Sequence, residues 1–241
     1  MSTAKFKAFV FDLDGTLLDT LPDLVVVTNK ALAELGYPAH TTAEIQSYVG
    51  NGLMALMRQA VPQDTPPDAA DKAMECWKAL FPTYKNDLTK PYPGIVETMA
   101  ALRAQGAKLG VLSNKFDAGV QQVMNQFMPG AFDVMHGECA EFPRKPDPTG
   151  LLRTIKELGA SPQTTVYVGD SPSDIEVAQK AGAYAVGVSW GYHHADELRD
   201  ACAALVIEKP CELLSLLESS AEEENDADAQ PIDEQSKSVR Q

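Results

Sequence analysis

Two aspartates, Asp12 and Asp14, end an apolar run in the stretch AFVFDLDGTLLDT at residues 8–20, with Asp19 close behind. A buried strand that runs straight into unpaired carboxylates is costly, so these acids need partners. One reading is a solvated turn in which aspartate and glycine serve geometry alone. The other is a pair of acids aimed at a cation and a substrate, because residues two apart face the same side of an extended chain. Three later clusters bear on the choice: LSNK at 112–115 with the Ser113 hydroxyl, RKPDP at 144–148 with Lys145, and GDSPSD at 169–174 with Asp170 and Asp174. Carboxylates, an amine and a hydroxyl together can bind a hard cation, move a proton or hold a small anion. Each also has a plainer use, since DSPSD is a good helix start and Gly15 lets a chain turn tightly.

The elements around these clusters place them together. From about residue 90 onward, strand-like and helix-like stretches alternate: KLGVLSN (108–114), a helix over 117–127, FDVMHG (132–137), a helix over 147–159, TTVYVGD (164–170), a helix opening at PSD, AYAVGVS (183–189), then ALVIEKP and a last helix at CELLSLLE. Apolar strands alternating with helices predict a parallel sheet covered on both faces. In such sheets ligands sit outside the carboxyl ends of the strands, where Asp12, Ser113 and Asp170 all fall. From Pro22 to about Leu88 the pattern is helical, punctuated by Pro62, Pro66, Pro67 and Pro82. The expected fold is therefore α/β, a Rossmann-like doubly wound core of residues 1–18 and 91–218 with an inserted helical cap at 19–90. The cap would hang on linkers near Leu18–Leu21 and Leu88–Pro93 and exclude water when closed. Residues 219–241 carry seven acids against Lys237 and Arg240, lack aromatics and read as a disordered tail.

The four clusters, in this chain order and with a helical insertion after the first strand, resemble the haloacid dehalogenase-type phosphatase superfamily. The resemblance runs from about Lys5 to Glu218. It implies Asp12 as the nucleophile that forms an aspartyl-phosphate, and Asp14 as the acid that protonates the leaving oxygen and then takes a proton from water. A carboxylate approaching a phosphate at ~4 Å costs about 4 kcal/mol per like-charged pair at an effective dielectric near 20, so a cation is required. The family pattern supplies Mg²⁺, held by Asp12, the main-chain carbonyl of Asp14, and Asp170, with Asp174 behind them orienting a metal-bound water. Lys145 would neutralise the phosphate from the opposite side, while the Ser113 hydroxyl and the Asn114 amide would meet phosphate oxygens. Lys115, read as opening a helix, is the kind of lysine that faces solvent.

Asp14 argues against dehalogenation, because family dehalogenases lack an acid there. DLDGTLLDT, VGNGL (49–53) and SWGYH (189–193) are similar to the phosphoglycolate phosphatase subgroup, in which Gly50, Asn51 and Gly52 would form a cap loop near the substrate's organic end. The same letters could merely break a helix, and Arg58 could meet a carboxylate or only solvent. The implied function is Mg²⁺-dependent hydrolysis of 2-phosphoglycolate. Another small phosphomonoester (a sugar phosphate, pyrophosphate or a nucleotide), a β-phosphoglucomutase-like mutase and a non-catalytic binding protein stay open.

Composition narrows the partners. Hydrophobic residues make up 44% of the 241 and the net charge is −14. With no basic stripe, nucleic acid is not expected, and no apolar run reaches membrane-spanning length. Cys76, Cys139, Cys202 and Cys211 lie far apart, which predicts free thiols in a reducing compartment. The expectation is a cytoplasmic monomer or homodimer acting on a small phosphorylated metabolite.

Overall fold

The computed structural model describes residues 6–217; the acidic stretch 219–241, expected to be a tail, lies outside them. Strand β1 (Ala8–Phe11) has every side chain buried, as a strand covered on both faces requires. The short strand β2 (Leu18–Asp19) leads into helix α1 (Leu21–Glu34), whose first turn contains Pro22. Helices α2 (Thr42–Tyr48), α3 (Gly52–Ala60) and α4 (Ala69–Leu80) complete the insertion. The helical stretch over 42–61 is broken at VGNG because Gly50 and Gly52 adopt positive φ, 112° and 78°, a region that disfavours other residues. The chain then returns through β3 (Lys90–Pro91), which pairs antiparallel with β2. The two linkers are thus joined to each other, a pairing the sequence reading lacks.

The remainder alternates as expected: α5 (Ile95–Ala104), β4 (Lys108–Phe116), α6 (Asp117–Phe127), β5 (Val134–Glu138), α7 (Thr149–Glu157), β6 (Thr165–Gly169), α8 (Pro172–Ala181) and β7 (Tyr184–Val188). A short helix α9 (Ala195–Asp200), unforeseen in the sequence, precedes β8 (Leu205–Ile207). The last helix is a 3-10 helix, Pro210–Leu216, rather than an α-helix. There the Ser215 hydroxyl donates to the Glu212 carbonyl at 2.7 Å, a local bond that competes with the α ladder.

The six-stranded sheet has the order β5-β4-β1-β6-β7-β8 and is parallel throughout. The chain leaves β1 toward β4 and leaves β6 toward β7, in opposite directions. The β1/β6 boundary is therefore the topological switch point, where open sheets bind ligands. Phe9 and Phe11 pack into an apolar cluster on one sheet face that continues into the insertion through Leu24, Met57 and Trp77. Ala8 and Val10 join a second cluster on the other face. All four cysteines are free, and no helix among the described residues is long and apolar enough to cross a membrane.

Candidate active site

Asp12 follows β1 directly, and its carboxylate is held from two sides. Oδ1 accepts the Leu13 N–H at 2.7 Å, and Oδ2 lies 2.9 Å from Lys145 Nζ. Lys145 also reaches Asp174 Oδ1 at 2.6 Å, with its side chain 2% exposed. Both oxygens of Asp174 are fully engaged: Oδ1 by Lys145 and the Tyr167 hydroxyl, Oδ2 by the Ser171 N–H and hydroxyl. Asp174 therefore caps α8 and anchors Lys145.

Asp170 follows β6 across the switch point and is wedged between backbone segments. A side-chain carbon at Gly15 (φ 81°) or at Gly191 would collide with its side chain. Its Oδ1 accepts from the Thr16 hydroxyl at 3.2 Å and Oδ2 from the Tyr192 N–H at 2.7 Å. Both glycines are thus needed for close approach, and a signal was available in the WGY triplet, whose glycine sits between two aromatics. Asp14 has partners of its own: Oδ1 accepts from the Thr20 hydroxyl at 2.6 Å, and Lys115 Nζ stands 3.0 and 3.2 Å from the two oxygens. Lys115 is the clearest correction to the sequence reading. It belongs to the end of β4, not to a helix, and its side chain is only 6% exposed.

Burial and crowding of like charge set the electrostatics. Burial, with the charges of Asp174, Asp170 and Asp14, raises the Asp12 carboxyl to about 7 despite the opposing pull of Lys145. Burial, with Asp174, also raises Asp170, against the Tyr192 N–H and His193. Burial pulls Lys145 downward, but Asp12 and Asp174 outweigh it and hold its ammonium well above the usual lysine range. Asp12, Asp170 and Asp174 each offer an oxygen within 4.8 Å of the others. Excess buried negative charge on hard oxygen donors fits a divalent cation such as Mg²⁺. Of the three, Asp12 and Asp170 line the cleft and Asp174 does not, so Asp12 and Asp170 are the side chains placed to hold it.

Asp12, Asp14 and Asp170 line a cleft of about 650 Å³, its open mouth included. Ser113, Asn114, Tyr192 and His193 line its core side. The Ser113 hydroxyl accepts the Lys115 N–H at 3.3 Å. The Asn114 side chain links two loops, with Nδ2 donating to the Gly50 carbonyl at 2.7 Å and Oδ1 accepting the Lys145 N–H at 2.7 Å. Gly50 and Gly52 face the cleft, but Asn51 does not: it is exposed, and its carbonyl accepts from Arg144 Nη1 at 2.6 Å. Lys145 likewise stands behind Asp12 rather than in the cleft wall. Arg58 is exposed on α3 and away from the lining.

Thr20 and Tyr192 carry structural work that no local motif reveals. The Tyr192 hydroxyl accepts the N–H groups of Thr20 and Leu21, both at 3.0 Å, while its carbonyl accepts from Gln46 of α2 at 3.1 Å. One residue thus ties Asp170 to the start of the insertion.

Comparison with known proteins agrees with this geometry. A family model described as haloacid dehalogenase-like hydrolase matches residues 9–188. A phosphoglycolate phosphatase of Pseudomonas putida is 34% identical over 209 residues, covering 84% of this chain and 76% of its own. One of Aquifex aeolicus is 31% identical over 218 residues, covering 88% and 97%. Among solved structures, a protein described as a predicted phosphoglycolate phosphatase of Haemophilus somnus superimposes with a TM-score of 0.83 at 28% identity, covering 90% of this chain and all of that one. With the motifs, the switch-point acids and the model match in agreement, the chain belongs to the haloacid dehalogenase-like hydrolases.

Proposed function

We propose that this chain is a Mg²⁺-dependent phosphatase that hydrolyses 2-phosphoglycolate through an aspartyl-phosphate on Asp12. The observation that carries the reading is the convergence of Asp12, Asp14 and Asp170 on one small cleft at the switch point. The names of the relatives at 31–35% identity support the substrate class. In this reading a carboxylate oxygen of Asp12 attacks phosphorus, and the bond from phosphorus to the ester oxygen breaks. Asp14, protonated, gives its proton to the departing oxygen, so glycolate leaves neutral at that hydroxyl. Asp14 then takes a proton from the water that attacks the phospho-aspartate, releasing phosphate and restoring Asp12. Lys145 and the Ser113 hydroxyl offset the charge of the transferring group. Asp12, Asp170 and the Asp14 carbonyl would hold the cation, which screens carboxylate from phosphate.

The insertion, residues 19–90, acts as the cap that keeps water out, and the enzyme works on a small metabolite in the cytoplasm. A mutase would need cations on the cap for a second phosphate, whereas the cap side of the cleft offers Leu24, Val49, Leu53, Leu56 and Trp77. A panel of small phosphate esters compared by kcat/KM tests the assignment. Phosphoglycolate is expected to lead; a sugar phosphate or pyrophosphate ahead of it by tenfold would overturn the substrate.

A further inference from the structure

Resting on that reading, we infer that Lys115 recognises the carboxylate of the substrate's leaving group, and so selects phosphomonoesters that carry a second negative charge beside the ester oxygen. The argument begins with what the cleft lacks. Its cap side is apolar side chains and two glycines, so a carboxylate entering there loses water without gaining a partner. Arg58 faces solvent, and Arg144 is occupied by the Asn51 carbonyl and by Glu138 at 3.0 Å. Lys145 is enclosed between Asp12 and Asp174. Of the two lining groups that can carry positive charge, His193 turns its Nδ1 toward Asp170, 3.9 Å away, on the side of the cleft where the cation would sit. That leaves Lys115.

Lys115 is placed for the task. It lines the cleft beside Ser113 and Phe116, and its ammonium has only Asp14 as an ion-pair partner among the described residues. Asp14 has a second donor in Thr20, so it keeps a hydrogen bond if Lys115 turns away. A substrate carboxylate in the cleft can therefore draw the ammonium to itself without leaving Asp14 bare, a use of binding energy remote from the reacting phosphorus.

The test compares 2-phosphoglycolate with 2-hydroxyethyl phosphate, a neutral-tailed ester of the same chain length, in the full chain with Mg²⁺. The wild-type ratio of their kcat/KM values is measured first; a wild type that does not favour the acid defeats the substrate reading itself. Given that preference, Lys115→Gln is expected to lower the ratio at least tenfold, whatever the change in absolute rates. Lys115→Met, which keeps the packing of the stem, serves if the glutamine variant does not fold. Lys115→Arg, retaining charge, is expected to keep more of the preference than either. A ratio that falls less than tenfold in a folded neutral variant overturns the inference.

Discussion

A carboxylate that must attack phosphorus is most useful when it is ionised, desolvated and held still. Asp12 meets the last two conditions through Leu13 and Lys145, while burial and the charges of Asp174, Asp170 and Asp14 work against the first. The lysine that opposes this effect is itself fixed by Asp174, so the three residues act as one unit. Asp12→Asn keeps the acceptor for Leu13 and relieves repulsion among the acids, so the fold should survive. Hydrolysis of a generic aryl phosphate is expected to fall by about 10⁴-fold or more, as for other lost nucleophiles. Circular dichroism should show an unchanged fold, and retained turnover would remove Asp12 from its role. The acids were legible in the sequence because the DLDGT motif is local and its strand is unmistakable. Lys115, Thr20 and Tyr192 were not, because their meaning lies in contacts across as many as 172 positions. Nor does the sequence show whether a lysine after an apolar strand continues that strand or opens the next helix.

At the scale of elements, the linkers decide how the insertion is hung. Paired β2 and β3 are reinforced by Asp23, a buried acid in the first turn of α1. Its Oδ2 accepts the N–H and hydroxyl of Thr89, both at 2.6 Å, and the N–H of Leu88 at 3.1 Å. The first helix of the insertion thereby grips the strand by which the chain returns. Asp23→Ala would leave the Thr89 amide buried without an acceptor, and bonds to a charged group contribute about 1.5–3 kcal/mol each. A loss of about 3 kcal/mol in urea unfolding is expected, with Asp23→Asn losing roughly half as much because an acceptor oxygen remains. Equal losses in the two variants would mean that packing, not this clamp, is what the position supplies. The sheet and its helices were readable from periodicity, since apolar strand cores at 8–11, 109–112 and 166–168 alternate with helical stretches. The two-residue ribbon was not, because Leu18–Asp19 and Lys90–Pro91 are too short to show any period. The break at 49–52 was already open in the letters VGNG, and the positive φ of Gly50 and Gly52 shows how the chain makes it.

Across the whole molecule, one apolar cluster runs from the sheet face into the insertion, joined where Trp77 and Phe81 pack against Phe116 of β4 with ring centroids 5.6 and 5.0 Å away. The acidic pocket lies beside this junction, with Trp77 and Phe116 in its lining. Among the described residues, Asp12, Asp14, Asp170 and Asp174 face two lysines, Lys115 and Lys145, with the His193 ring 3.9 Å from Asp170. The fold thus carries an uncompensated negative charge at its centre that a divalent cation would cancel, and binding to the folded state alone stabilises it by mass action. At a free Mg²⁺ concentration of 100 times the Kd the gain is about 2.7 kcal/mol, roughly 5–10 °C in Tm for a domain of this size. Chelation is expected to remove both that increment and the turnover, and Mg²⁺ to restore both. Asp170→Asn should fold yet show little response of its Tm to the ion. A wild-type Tm and rate indifferent to both chelator and Mg²⁺ would show that the charge is balanced by some other means, and the cation would then have no place in the chemistry.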